Sequence, residues 1–176
     1  MKKIIFAAVF GLMTITAQAQ VAIGKAEVTN ASTILEFDNS SANTKGIILP
    51  AVADLTKVLA ADPVENNGTF LFDRTDDKVK MYEGNKWVSL SDTGSEAKIT
   101  PNTSAENASN QGAIIGADAS LARGVLVLEA AKKAVILPWI QNPHTAVKSP
   151  YPGMMCYDTA SRTLAVFDGV VWSYWK

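Results

Sequence analysis

The sequence has a single cysteine and a single histidine among its 176 residues, and this scarcity limits the chemistry it can support. Cys156 has no second cysteine with which to form an intrachain disulfide. It stands in an apolar stretch with Met154, Met155 and Tyr157, a setting typical of a buried, inert thiol. A cysteine nucleophile would also need a base, and His144 lies in a proline-rich stretch with no motif around it. We therefore expect a non-enzymatic protein without catalytic residues and without a cofactor.

Clustered positive charge is also missing. The 16 basic and 17 acidic residues give a formal net charge of −1, and Lys132 with Lys133 is the only basic pair outside the N-terminus. Because binding to a phosphate backbone needs clustered Lys and Arg, we expect no nucleic-acid partner. The acidic group Asp73, Asp76 and Asp77 lacks the alternating ligand spacing and the glycine of a calcium loop, so we expect no metal site there.

A long apolar run occurs only at the N-terminus. Lys2 and Lys3 precede an uncharged apolar run over residues 4–16, and Ala17-Gln18-Ala19 offers the small-x-small pattern of a cleavage site. This pattern predicts a signal peptide over residues 1–19. The run is too short for a transmembrane helix, which needs roughly 20 apolar residues. We expect an exported protein in the periplasm, on the outer-membrane surface or outside the cell, with no transmembrane span after cleavage.

What the sequence does contain is an ordered internal repeat. Lys45-Gly46-Ile47-Ile48-Leu49-Pro50 matches Lys133-Ala134-Val135-Ile136-Leu137-Pro138 at an offset of 88 residues. Three further matches share an offset of 85 residues and follow in the same order: residues 68–73 with 153–158, residues 79–84 with 164–169, and Trp87 with Trp172. Upstream, residues 34–38 match 125–129 and residues 22–24 match 114–116. Such a series predicts two diverged copies of one module.

The segment between the copies, residues 93–111, is rich in Ser, Thr, Asn and Ala and has almost no large apolar side chain. Such a composition cannot bury enough surface to offset its ordering entropy, so it predicts a polar linker. The modules are then residues 21–92 and 112–176.

Each copy alternates short apolar strands with turn residues. A proline, Pro50 or Pro138, ends the second apolar run because it cannot donate to a strand ladder. Asp73 and Asp158 are expected to open turns by accepting backbone N–H groups two residues on. In the first copy, residues 54–61 show helical spacing behind Asp54 as a cap, whereas residues 139–152 of the second copy predict an irregular loop. The predicted fold is mainly β, with two small antiparallel β-rich modules, the first with one short helix.

These motifs resemble a repeat found widely in secreted and surface proteins of Bacteroidetes and in some phage tail-fibre proteins. The residues that carry the resemblance are Val21-Ala22-Ile23-Gly24, residues 45–50, Tyr157-Asp158-Thr159, and Phe167-Asp168-Gly169 followed by Trp172. The resemblance covers nearly all of the chain after the predicted signal peptide. Both copies lack the Arg-Met-Thr stretch that often follows the proline in that group. The resemblance implies a non-enzymatic exported or surface protein and carries over no catalytic residue.

The sequence therefore favours a structural or protein-binding module of the cell envelope. It would be adhesin-like or an accessory subunit of an outer-membrane secretion or gliding assembly, with an envelope or surface protein as its partner. A carbohydrate-binding module is the alternative, and a small hydrolase is the least favoured one. Trp87 and Trp172 hold equivalent positions, which indicates a shared core role. The candidate partner surface is formed by residues of the divergent segment and the C-terminus: Trp139, His144, Tyr151 and Trp175.

Overall fold

A computed structural model describes residues 20–60, 62–101 and 112–176 of the chain. The predicted signal peptide lies outside the described residues, as do residues 102–111 of the predicted linker. Within the described ranges, no helix is long and apolar enough to cross a membrane.

The first half contains seven short strands: β1 (Val21–Ile23), β2 (Thr33–Phe37), β3 (Ile47–Ile48), β4 (Ala51–Val52), β5 (Phe70–Asp73), β6 (Lys78–Glu83) and β7 (Lys86–Ser89). The second half contains seven more strands: β8 (Ala113–Ile115), β9 (Leu126–Leu128), β10 (Ala134–Ile136), β11 (Trp139–Ile140), β12 (Met154–Asp158), β13 (Thr163–Phe167) and β14 (Trp172–Trp175). The prediction of a mainly β protein is confirmed.

In the part of the chain that the structure describes, the strands form four sheets. The first half contributes the four-stranded sheet β4-β5-β6-β7, and the second half the related order β11-β12-β13-β14, to which β3 adds as a fifth strand. A three-stranded sheet has the order β1-β2-β10, and β8 pairs with β9. Two sheets therefore contain strands from both halves.

The two larger sheets have the same register. In the first half Phe70 lies opposite Met81, Phe72 opposite Val79 and Tyr82 opposite Trp87. In the second half the paired residues carry numbers 85 higher: Met155 with Val166, Tyr157 with Leu164 and Phe167 with Trp172. The parallel pairs correspond as well, since Ala51 opposes Phe72 where Trp139 opposes Tyr157, and Val21 opposes Leu35 where Ala113 opposes Leu126.

A shared hydrophobic core joins the halves. Its buried members come from both sheets: Leu49, Phe72, Val79, Leu90, Met155 and Val166. Ile99, from the start of the segment predicted as a linker, packs against the same cluster. Residues of that segment are also tied down by polar contacts, because Ser95 N donates to Asp168 O at 2.9 Å and Arg74 pairs with Glu96 at 2.6 Å.

The pairing is mixed rather than antiparallel throughout. The hairpins β5-β6-β7 and β12-β13-β14 are antiparallel, as the short turns require, whereas β1-β2, β4-β5, β8-β9 and β11-β12 are parallel. Parallel neighbours need a long return connection. The connection between β4 and β5 supplies one, so a reading based on turns alone misses the parallel pairs.

The helical segments also differ from the prediction. Asp54 does cap a helix, accepting from Thr56 N at 3.0 Å, but the helix is a 3-10 turn over Leu55–Lys57, followed by a second over Pro63–Asn66. Pro63 lacks an N–H and cannot continue a helix begun at residue 55. Among the described residues a four-residue α-helix, α1 (Pro143–Ala146), lies in the segment predicted as an irregular loop. Proline is favoured at a first helical position, and Pro143 occupies that position here.

The predicted turn aspartates are confirmed. Asp73 Oδ1 accepts from Thr75 N at 2.9 Å, and Asp158 Oδ1 accepts from Ala160 N at 3.0 Å. Both side chains are buried, because these hydrogen bonds satisfy their charge locally.

Candidate interaction surfaces

The four predicted surface residues do not form one patch. Trp139 lies opposite Tyr157, Tyr157 opposite Leu164, and Leu164 opposite Trp175. Directly opposed residues share a sheet face, so the two tryptophans stand on one face at its two edges, separated by three strand spacings or roughly 14 Å. His144 contacts Tyr174, which neighbours Trp175 in β14 and therefore points to the other face.

Trp175 and Tyr151 are tied to other parts of the chain. The Trp175 indole Nε1 donates to Leu90 O and so connects the last strand to the end of the first half. The Tyr151 hydroxyl accepts a hydrogen bond from Thr100 N at 3.0 Å. Both polar groups thus serve contacts between the halves or with the segment that joins them, which gives these residues a structural role.

His144 and Tyr174 stand beside a groove of about 520 Å³. His144 Nδ1 lies 2.9 Å from the Tyr174 hydroxyl oxygen, and the two rings meet edge to face. Apolar side chains of Val170, Val171 and Trp172 line the groove further along. Lys98 and Lys148 line the groove as well, so its lining combines apolar side chains with two cationic groups and one hydrogen-bonded aromatic pair.

Cys156 lies beneath this face and is fully buried, as predicted. Burial, with a smaller effect of Asp158, raises the pKa of its thiol to about 12. The thiolate that nucleophilic chemistry needs is therefore not populated near neutral pH. Among the described residues, no group of three or more His, Cys, Asp or Glu side chains could hold a metal ion.

Trp87 and Trp172, predicted to share a core role, are both half-buried. Trp87 packs edge to face on Tyr82 with ring centroids 5.1 Å apart, and Trp172 packs on Phe167 at 5.4 Å. The two aromatic pairs are equivalent in sequence position, and Trp172 additionally lines the groove.

Open strand edges are a further kind of candidate surface, which the sequence alone did not locate. Strand β2 is the middle strand of its sheet, and its residues Ile34 and Leu35 are 2% and 1% exposed. Strand β9 has a partner on one side only within the described residues, and Val125 and Leu126 are 71% and 46% exposed. An unpaired apolar edge is a template for another strand. The predicted repeat is the sequence signal that bears on this difference, because it pairs residues 34–38 with residues 125–129, and the structure gives these two segments different surroundings.

A family model described as phage tail like trimerisation region matches residues 22–112, slightly more than half of the chain. The match begins within β1, covers β2 to β7 and continues through residues 93–111. No curated protein and no solved structure matches the chain.

Proposed function

The chain belongs to the phage tail like trimerisation region family, and on that basis we propose that it is a non-enzymatic structural protein that works as a homotrimer. The family match carries this proposal. The exposed apolar strand edge at β9 supports it, because pairing with another chain would remove Val125 and Leu126 from water.

The test is the mass of the purified chain in solution. Light scattering after size exclusion, repeated over a range of micromolar concentrations, should give three times the mass of one chain. A mass of one chain at every concentration would contradict the proposal.

We propose further that residues 21–92 and 112–176 are diverged copies of one module, joined by residues 93–111. The identical registers of the two larger sheets support this, as does the equal pairing of β1-β2 and β8-β9. An experimental structure in which the two segments do not superpose strand for strand would count against common ancestry.

We place the protein outside the inner membrane, as a structural or adhesin-like component of the cell envelope or an accessory subunit of an outer-membrane secretion or gliding assembly. The basis is the N-terminal pattern around Lys2, residues 4–16 and Ala19, together with the resemblance to secreted and surface proteins. N-terminal sequencing of the protein from fractionated cells should begin at Gln20. Recovery of the uncut chain from the cytoplasm would contradict the export proposal. Free release of the protein to the medium without an envelope partner would contradict the assembly role.

A carbohydrate-binding role remains the alternative proposal, supported by the half-exposed indoles of Trp139 and Trp175. A glycan array probed with the parent chain and with Trp139→Ala and Trp175→Ala variants tests it. Equal signals from parent and variants would remove this role.

A further inference from the structure

Each half of the chain gives one strand to the other half. Strand β3 adds antiparallel to β12, with Ile47 opposite Met155, and Leu49 N donates to Gly153 O at 3.0 Å. Strand β10 adds parallel to β2, with Val135 opposite Leu35. The two donated strands are equivalent segments of the repeat, residues 45–50 and 133–138. One interface between the halves therefore consists of two strand additions, one in each direction.

The same two acceptor edges exist a second time and are open. The counterpart of the β12 edge is formed by residues 68–70 at the start of β5, and the counterpart of β2 is β9. No strand of the described part of the chain pairs with either edge. A methyl group added at Gly68 would meet no atom within 4 Å, whereas at Gly153 it would meet Phe72 and Leu49.

Side-chain packing gives the same result. Ile34, on β2, reaches Gly116 of the second half, where an added Cβ would lie 2.5 Å from its Cδ1. The equivalent pair is Val125 and Gly24. Val125 is exposed, and a Cβ added at Gly24 would meet no atom of the second half within 4 Å, only Asp38 of its own half. A side chain that is buried in one half is thus left without its receiving surface in the other.

We propose that the second half of one chain joins the first half of a second copy through this same pair of strand additions, an inference that rests on the trimer proposed above. Strand β10 of one chain adds antiparallel to residues 68–70 of the next, with Val135 opposite Phe70 and Ile136 opposite Thr69. Strand β3 of the next chain adds parallel to β9, with Ile47 opposite Leu126. The two open acceptor edges, residues 68–70 and β9, then each have a partner.

This interface is head-to-tail, so each chain offers both of its surfaces. Such contacts close into a ring when the rotation between neighbours allows it, and otherwise grow into filaments. With two modules in each chain, a closed trimer is a ring of six modules with alternating intrachain and interchain interfaces.

The proposed strand addition between chains is less closely packed than the equivalent addition within one chain. Gly46 lies so close to β12 that an added Cβ would stand 2.7 Å from Met155 O. The equivalent residue of β10 is Ala134, which already carries that methyl group, so β10 has to sit slightly farther from Phe70. Ala134→Gly should therefore tighten the trimer.

Disulfide trapping tests the proposed register. Paired residues on neighbouring antiparallel strands have Cα atoms about 4.5–5.5 Å apart, within reach of a disulfide. The Thr69→Cys/Ile136→Cys double variant, oxidised and run on a denaturing gel, should give covalent dimers and trimers, and each single variant should give none. Mixed single variants should give a dimer that holds one chain of each kind. Cys156 is buried and does not compete.

Two outcomes would overturn the head-to-tail arrangement while leaving the trimer intact. One is a trimer by mass in which the double variant forms no interchain disulfide, and the other is a covalent dimer formed by either single variant on its own. A chain that is monomeric before any substitution would instead overturn the proposed function.

A charge at the proposed interface gives a second, independent measurement. Val125→Glu should weaken assembly by roughly 30-fold, the size of an interface hot spot. Val170→Glu is the matched control, because Val170 is 61% exposed but lines the groove and not the strand edge. Both sites are exposed, so circular dichroism should be unchanged. Loss of the trimer in Val170→Glu, or its full retention in Val125→Glu, would contradict the proposal.

Discussion

Glu36 is a buried carboxylate whose ionised form is stabilised by its neighbours. It lies on the central strand β2, and its side chain is inaccessible to solvent. Lys25 Nζ lies 2.6 Å from one carboxylate oxygen, and Thr29 donates to both oxygens, through its hydroxyl group and its backbone N–H, at 2.6 Å each. Burial acts to raise the pKa of Glu36, but these hydrogen bonds outweigh it and hold the pKa at about 2. The cluster fixes the loop between β1 and β2.

A pH dependence of stability follows from this depressed pKa. The stabilisation from ionised Glu36 is fully present above its usual pKa of 4.5 and is lost as the pH falls toward about 2. Glu36→Gln should lower the free energy of unfolding by about 2–4 kcal/mol near neutral pH, because it leaves Lys25 partly buried without its partner. In urea titrations the gap between parent and variant should narrow between pH 4.5 and 2. Glu83→Gln, which removes a charge from an exposed residue, should change little; a constant gap down to pH 2 would refute the assignment.

Strand β3 is short, and its addition to β12 depends on Gly46. Gly46→Ala would place a methyl group 2.7 Å from Met155 O and 2.8 Å from Met154 Cγ. Because the nearer atom belongs to the backbone, the strand has to move, and we expect a loss of about 1–3 kcal/mol in the free energy of unfolding. Gly124→Ala is the matched control, since its nearest atoms would lie at an ordinary 3.5 Å. Equal midpoints for the two variants in thermal melts would show that β3 does not dock as described.

Local features of the elements could be predicted from the sequence, and long-range pairings could not. Turn chemistry at Asp73 and Asp158 and the antiparallel hairpins depend on residues close in the chain, and both were predicted correctly. The addition of β3 to β12 joins residues about a hundred positions apart, and no local pattern encodes it. Pro143 was read as a loop signal although the same residue type starts α1, because proline fits both roles.

The candidate surfaces show the same limit. Trp139 and Trp175 could be named from the sequence as tryptophans without a counterpart in the other predicted copy. Their placement at the two edges of one sheet face depends on strand order. The open edges at β9 and residues 68–70 depend on which strands cover each of the segments that the sequence predicts to be equivalent, and that covering is a long-range feature. A repeat predicted from sequence thus indicates which surfaces should correspond, and the structure determines which of them are unpaired.

At the level of the whole molecule, the halves should unfold together because they share one core. Phe72 is fully buried in the first half, and its Cβ stands 3.3 Å from the position of a Cβ at Gly153 of the second half. Phe72→Ala should cost about 3–5 kcal/mol through the cavity it leaves. If the core is one cooperative unit, amide hydrogen exchange should lose protection to the same extent in β5 and β6 as in β12 and β13. Val64→Ala, at an exposed first-half residue, should leave the protection of both regions unchanged. All samples need the same protein concentration, because association adds to apparent stability. Protection lost in the first half alone would instead mean that the halves fold independently, and that the strands exchanged between them contribute little to stability within one chain.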